Sequence, residues 1–190
     1  MRCGSPERFS LGCRSVPANL ILIGFSGTGK SAVSRLVAER IGWPLVDTDR
    51  LIVEQFGKSV AAVFQDEGEA VFRAAERNIV VRVCEGRRQV ISVGGGAPVD
   101  LENRSSMKDG NLVVQLAASP ETIYQRLRTS PGAEDRPMLA GSDPLERIRR
   151  LSVERNEAYG IADVVVDTEG KTPFEVTDAV LDVLKRQGLL

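Results

Sequence analysis

Gly24-Phe25-Ser26-Gly27-Thr28-Gly29-Lys30-Ser31 fits the pattern GxxxxGK[ST] in full, and no other segment restricts the fold as strongly. It follows a short apolar run at 19–23 and opens a helical pattern, Lys30–Ile41, that ends at Gly42. In this strand–turn–helix context the glycines let the backbone curl, so that successive N–H groups point at phosphate oxygens. The first turn of the helix adds the positive end of its dipole. Lys30 would reach the β- and γ-phosphates of a nucleotide, and Ser31 would bind Mg²⁺. Gly27, Thr28, Gly29, Lys30, Ser31 and Ala32 together form the expected nucleotide cradle. Such a loop does not by itself separate a kinase from a motor or a switch. The chain shows no NKxD guanine motif, and its 190 residues leave no room for a motor's extra machinery.

The rest of the chain alternates strand and helix patterns. Apolar runs at 19–23, 44–46, 89–93, 111–116 and 162–166 read as strands. Helical patterns fall at Lys30–Ile41, 51–56, 60–64, Glu69–Cys84, 120–127, 144–159 and Pro173–Arg186. This alternation implies an α/β fold with three α/β/α layers, in which helices cover both faces of a five-stranded parallel sheet. Ligands bind such sheets beyond the carboxyl ends of the strands. The glycine turn after the first strand, the acidic residues after the second and Gly94-Gly95-Gly96 after the third all fall there. Residues 129–143 are long, polar and rich in Pro and Gly, which suits a mobile lid. Residues 1–17 lack the apolar core of a signal peptide and are expected to be a flexible extension. Residues 18–190 are expected to form one kinase domain.

Histidine is absent. That excludes Ser-His-Asp chemistry and His-ligated metals, and leaves proton transfer to carboxylates, lysine, tyrosine or water. A bound metal would be oxygen-ligated, and so a hard cation such as Mg²⁺. A net charge of −1 gives no global nucleic-acid-binding surface. Cys3, Cys13 and Cys84 supply neither a disulfide framework nor a CxxC pair, which suits a reducing compartment. No run approaches the roughly 20 apolar residues of a membrane span. The expectation is a cytoplasmic monomer with no nucleic-acid or membrane partner.

Asp47-Thr48-Asp49 follows the second strand and brings two carboxylates near the phosphates. Asp47 could hold Mg²⁺, directly or through water. Asp49 could accept hydrogen bonds from a substrate hydroxyl and draw off its proton. Alternatively, Asp49 only caps the helix pattern that begins at Leu51. Arg73, Arg136 and Arg155, each taken alone, read equally as solvated ion-pair partners. Gly94–Gly96 alone reads equally as a turn.

Taken in order, the segments GFSGTGKS (24–31), DTD (47–49), EGEAVFR with a following Glu76 (67–76), GGG (94–96), DRPML (135–139) and RNEAY (155–159) make a more specific set. It resembles shikimate kinase, a member of the nucleoside-monophosphate-kinase-like P-loop group. The resemblance implies transfer of the γ-phosphoryl group of ATP to the 3-hydroxyl of shikimate, with Mg²⁺, on the path to chorismate. It further implies that Arg73 and Arg155 grip the shikimate carboxylate with their planar forks. The backbone of Gly94, Gly95 and Gly96 would approach the ring closely, which the missing Cβ permits. Asp49 would hold ring hydroxyls and act as the base, while Asp47 and Ser31 serve the metal. Arg136 would close over the phosphates with the lid, and Arg128 and Pro173 would contact the adenine side. Met138 stands where an aliphatic residue is expected. Two other readings stay open: the same fold acting on gluconate or a nucleoside monophosphate, and a nucleotide-binding regulatory module without turnover.

Overall fold

The first strand, β1 (Leu20–Ile23), has the sequence LILI, and all four side chains are fully buried. A strand that is apolar on both faces belongs in the middle of a sheet covered on both sides, and β1 lies there. The computed structural model describes residues 17–130, 139 and 141–190. Arg136, Met138 and most of the expected lid lie outside these residues, as do Cys3, Cys13 and nearly all of the expected extension.

The sheet is parallel throughout, in the order β2 (Leu45–Asp47), β3 (Val90–Ser92), β1, β4 (Leu112–Ala117), β5 (Val164–Asp167). Leu20 stands opposite Val90 on one side and Leu112 on the other. The chain leaves β1 towards β2, returns to β3 and then crosses to β4. The carboxyl end of β1 is therefore a point where the winding reverses, the place where α/β sheets bind ligands.

β1 divides its side chains between two cores. Leu20 and Leu22 join Val33 and Val37 of α1 (Lys30–Ile41) and Val176, Val180 and Leu184 of α9 (Pro173–Arg186). Ile21 and Ile23 join a second core with Ile52 of α2 (Thr48–Phe56), Val63 of α3 (Val60–Asp66) and Phe72 and Ile79 of α4 (Glu69–Cys84). Met107 of α5 (Leu101–Lys108), Ile123 of α6 (Pro120–Thr129) and Ile148 of α7 (Pro144–Glu154) complete it. This is the three-layer arrangement implied by the strand–helix alternation.

Some boundaries differ from the sequence pattern for identifiable reasons. Helix α2 starts at Thr48 rather than Leu51, because the Asp47 carboxylate accepts from the Arg50 amide at 3.1 Å and caps it. The capping role considered for Asp49 therefore belongs to Asp47. Helix α5 and a 3₁₀ turn (Ala97–Val99) were not legible, since LENRSSMK buries only Asn103 and Met107. The Asp100 carboxylate starts α5 by accepting from the amides of Glu102 and Asn103. The helix pattern at 144–159 divides at Arg155 into α7 and the single turn α8 (Asn156–Tyr159).

Candidate active site

Gly27 and Gly29 sit at φ +88° and +97°, a backbone region that L side chains rarely adopt, and they turn the loop between β1 and α1 back on itself. The Lys30 ammonium closes the turn, donating to the carbonyls of Gly24 at 2.7 Å and Phe25 at 3.0 Å. Thr28 points inwards, with its hydroxyl and its amide both donating to the Phe25 carbonyl. Burial pushes the Lys30 pKa down to about 8, against the opposing pull of Asp49 and Asp47. A cavity of about 380 Å³ opens over this loop. Gly27, Gly29, Lys30, Ser31 and Ala32 line one side, and Asp47, Asp49 and Gly95 another.

Asp49 is exposed to the cavity, yet the protein packed around it raises its pKa above the usual carboxylate value. Desolvation is the main cause, repulsion from Asp47 adds to it, and Lys30 opposes both. The two shifts give a pH prediction. The value of kcat/KM, which reports the free enzyme, is expected to fall on the acid side as Asp49 takes up a proton. It should fall again as pH rises through about 8, where Lys30 loses its charge. A profile flat through both limbs would detach these groups from turnover.

Beyond β3 the chain runs through Gly94, Gly95 and Gly96, where any side chain would crowd its neighbours. A Cβ on Gly94 would lie 2.5 Å from Asp49 Oδ1, and one on Gly95 would lie 3.1 Å from the Ser26 amide nitrogen. The Gly94 amide donates to the Thr48 hydroxyl at 3.1 Å, which ties this turn to the DTD segment. Two guanidinium groups face the same turn. Arg73 lies against Gly96, its carbon 5.7 Å from the ring centre of Phe64 and 5.3 Å from that of Phe72, and it donates to Glu76 at 2.7 Å. Arg155 sits over the Phe25 ring and donates to the Gly95 carbonyl at 3.3 Å. The glycine loop, Asp47 and Asp49 thus line one cavity, and two guanidinium groups adjoin it at the Gly94–Gly96 turn.

A shikimate kinase family model matches residues 26–185. The chain belongs to the shikimate kinase family. It is accordingly a P-loop phosphotransferase. It is 42% identical to a shikimate kinase of Symbiobacterium thermophilum over 171 residues, covering 90% of this chain and 98% of that protein. A shikimate kinase of Deinococcus radiodurans is 42% identical over 177 residues, 93% of this chain and 88% of that one. Among solved structures, the shikimate kinase of Acinetobacter baumannii in complex with shikimate superposes with a TM-score of 0.84 at 28% identity, covering 93% and 97% of the two chains.

Against this shikimate kinase frame, most of the residues selected from the sequence converge. Lys30, Ser31, Asp47, Asp49 and Gly95 share the cavity, and Gly94, Gly96, Arg73 and Arg155 adjoin it. Arg128 and Pro173 do not line it. Arg128 is exposed over the Tyr124 ring and donates to Gln125, while Pro173 opens α9 after the Thr172 cap. Arg136 lies outside the described residues. Three contributors escaped selection. Glu76 is 2% exposed and holds Arg73; its signal was an acid on the apolar face formed by Phe72, Ala75, Ile79 and Val83. Arg126 lines the cavity while anchored to Thr168, and Tyr159 donates to the Gly95 carbonyl. For Arg126 no sequence signal exists, because its partner lies on a distant loop.

Proposed function

We propose that this protein transfers the γ-phosphoryl group of ATP to the 3-hydroxyl of shikimate, yielding ADP and shikimate 3-phosphate. The observation that carries this reading is the pair Arg73 and Arg155. Arg73 on α4 and Arg155 between α7 and α8 reach one glycine turn, and Gly95 of that turn shares a cavity with Asp49 and Lys30. Two planar cations suit a small carboxylic acid, and a carboxylate beside them suits its ring hydroxyls.

In this reading Lys30 and the loop amides hold the phosphates, and Arg73 and Arg155 hold the acceptor carboxylate. Asp49 orients the attacking hydroxyl and takes its proton. Its raised pKa brings it closer to the operating pH, where a base is most effective. Ser31 and Asp47 fit Mg²⁺. Both offer hard oxygen donors to the same cavity, and the metal keeps several waters when so few groups bind it. When bound, Mg²⁺ would neutralise phosphate charge. Catalysis is then chiefly positioning and electrostatic stabilisation. Arg136 would add charge from the lid, and Arg128 and Pro173 would meet the adenine. Residues 18–190 act as one catalytic domain, in keeping with the single sheet among the described residues. No helix among those residues is long and apolar enough to cross a membrane. We place the protein in the cytoplasm as a monomer without nucleic-acid or membrane partners.

Coupled ADP release with ATP and Mg²⁺ tests the reaction, with shikimate, quinate, gluconate and AMP compared as acceptors. Turnover with shikimate is expected. Turnover only with another acceptor would overturn the assignment, and ATP binding without turnover would favour a regulatory module. Arg73→Ala should raise the shikimate KM on the order of tenfold or more, the loss of charge-assisted hydrogen bonds. The ATP KM should hardly move. Equal effects on both would make Arg73 a structural residue.

A further inference from the structure

Arg155 stands just before the one-turn helix α8 and Tyr159 ends it, and the Tyr159 amide donates to the Arg155 carbonyl at 3.0 Å. Their side chains converge on a single acceptor. The Tyr159 hydroxyl donates to the Gly95 carbonyl at 2.7 Å, whereas Arg155 reaches the same oxygen at 3.3 Å. The first is a short, strong contact and the second a long, weak one. Tyr159 is 5% exposed, so packing fixes its ring and with it the place of its hydroxyl. Gly95 in turn packs against the phosphate loop, where a Cβ would meet the Ser26 amide nitrogen and the Gly24 carbonyl.

We propose that Tyr159 is a positioning residue for acceptor binding: by satisfying the Gly95 carbonyl it leaves the Arg155 guanidinium free to turn to the substrate carboxylate. The mechanism is competition for one donor. Without the phenolic hydroxyl, the Gly95 oxygen has Arg155 as its remaining side-chain donor. When this half-buried carbonyl loses its shorter partner, Arg155 is the donor already within reach of it. Arg155 is then held by the protein, and the incoming carboxylate must displace it. The same hydroxyl ties α8 to the residue that abuts the phosphate loop, so the position of the acceptor clamp is set relative to the phosphates.

This inference rests on the reading of Arg155 as a carboxylate partner, and a double-mutant cycle on the full chain separates the two. Wild type, Tyr159→Phe, Arg155→Ala and the double variant are compared for shikimate KM, ATP KM, kcat and melting temperature. Tyr159→Phe keeps the ring and its packing. It is expected to raise the shikimate KM about fivefold, in line with one hydrogen bond, with ATP KM and kcat nearly unchanged. In the Arg155→Ala background the same change should raise the shikimate KM no further, because no guanidinium remains to be captured. A residue that only supports the fold would give equal effects in both backgrounds, or a lower melting temperature with the shikimate KM unmoved. Either result would overturn the proposal. Wild type without shikimate turnover would overturn the assigned reaction and this inference together. Normal wild-type turnover with an unchanged KM in Tyr159→Phe would overturn this inference alone.

Discussion

Asp49→Asn is expected to bind ATP nearly as well as the wild type and to lose on the order of a thousandfold in kcat, within the range that general-base catalysis supplies. The substitution keeps the size and shape of the side chain, so its close packing against Gly94 survives. What disappears is the ability to take a proton from the acceptor hydroxyl. The environment changes in a second, checkable way. Asp49 is the larger of the two carboxylate influences that raise the Lys30 pKa against burial. Its removal should shift the alkaline limb of the pH profile to lower pH. Steady-state kinetics and a nucleotide titration decide the matter. Turnover close to wild type would remove Asp49 from the chemistry, whatever the titration shows.

Lys30→Met is the second large effect, and it falls on both substrate binding and rate. The expected loss in kcat/KM is on the order of a thousandfold, comparable to removing a cationic contact from a transferring phosphoryl group. Methionine follows the path of the lysine stem but carries no donor. The carbonyls of Gly24 and Phe25 lose their 2.7 and 3.0 Å contacts. Unpaired carbonyls destabilise, while removing a buried ammonium relieves its desolvation cost. The two effects oppose each other, so the melting temperature should move little while nucleotide affinity falls steeply. A variant that keeps its ATP affinity would show that the loop amides alone hold the phosphates.

Much of this arrangement was legible because local chemistry and fold agree. The phosphate loop announces itself through its glycines and its place between an apolar strand and a helix, and α1 follows within the limits read from the pattern. What stayed hidden depends on contacts between distant segments. Helix α5 lacks an apolar stripe and forms because Asp100 caps it and Met107 reaches the core. The break at Arg155 has no Pro or Gly to mark it, and comes instead from the docking of α8 on the Gly95 carbonyl. Glu76 was visible as a charge in an apolar row, but its task requires knowing that Arg73 turns towards Gly96. Arg126 depends on Thr168, on a loop 42 residues further along, and nothing near it foretells that bond.

The division of side chains along β1 has a consequence for redesign. Leu20 and Leu22 serve the core shared with α1 and α9, while Ile21 and Ile23 serve the core shared with α2, α3 and α4. The helix that follows the phosphate loop is thus rooted on one face of the sheet, and the helices that carry Asp49 and Arg73 on the other. Ile52, Val63 and Phe72 lie in a layer separated from α1 by the sheet itself, and Phe25 of the phosphate loop packs into that same layer. A library confined to that layer is therefore the natural starting point for redesigning what the enzyme phosphorylates, provided that Phe25, which ties the layer to the phosphate loop, is held fixed.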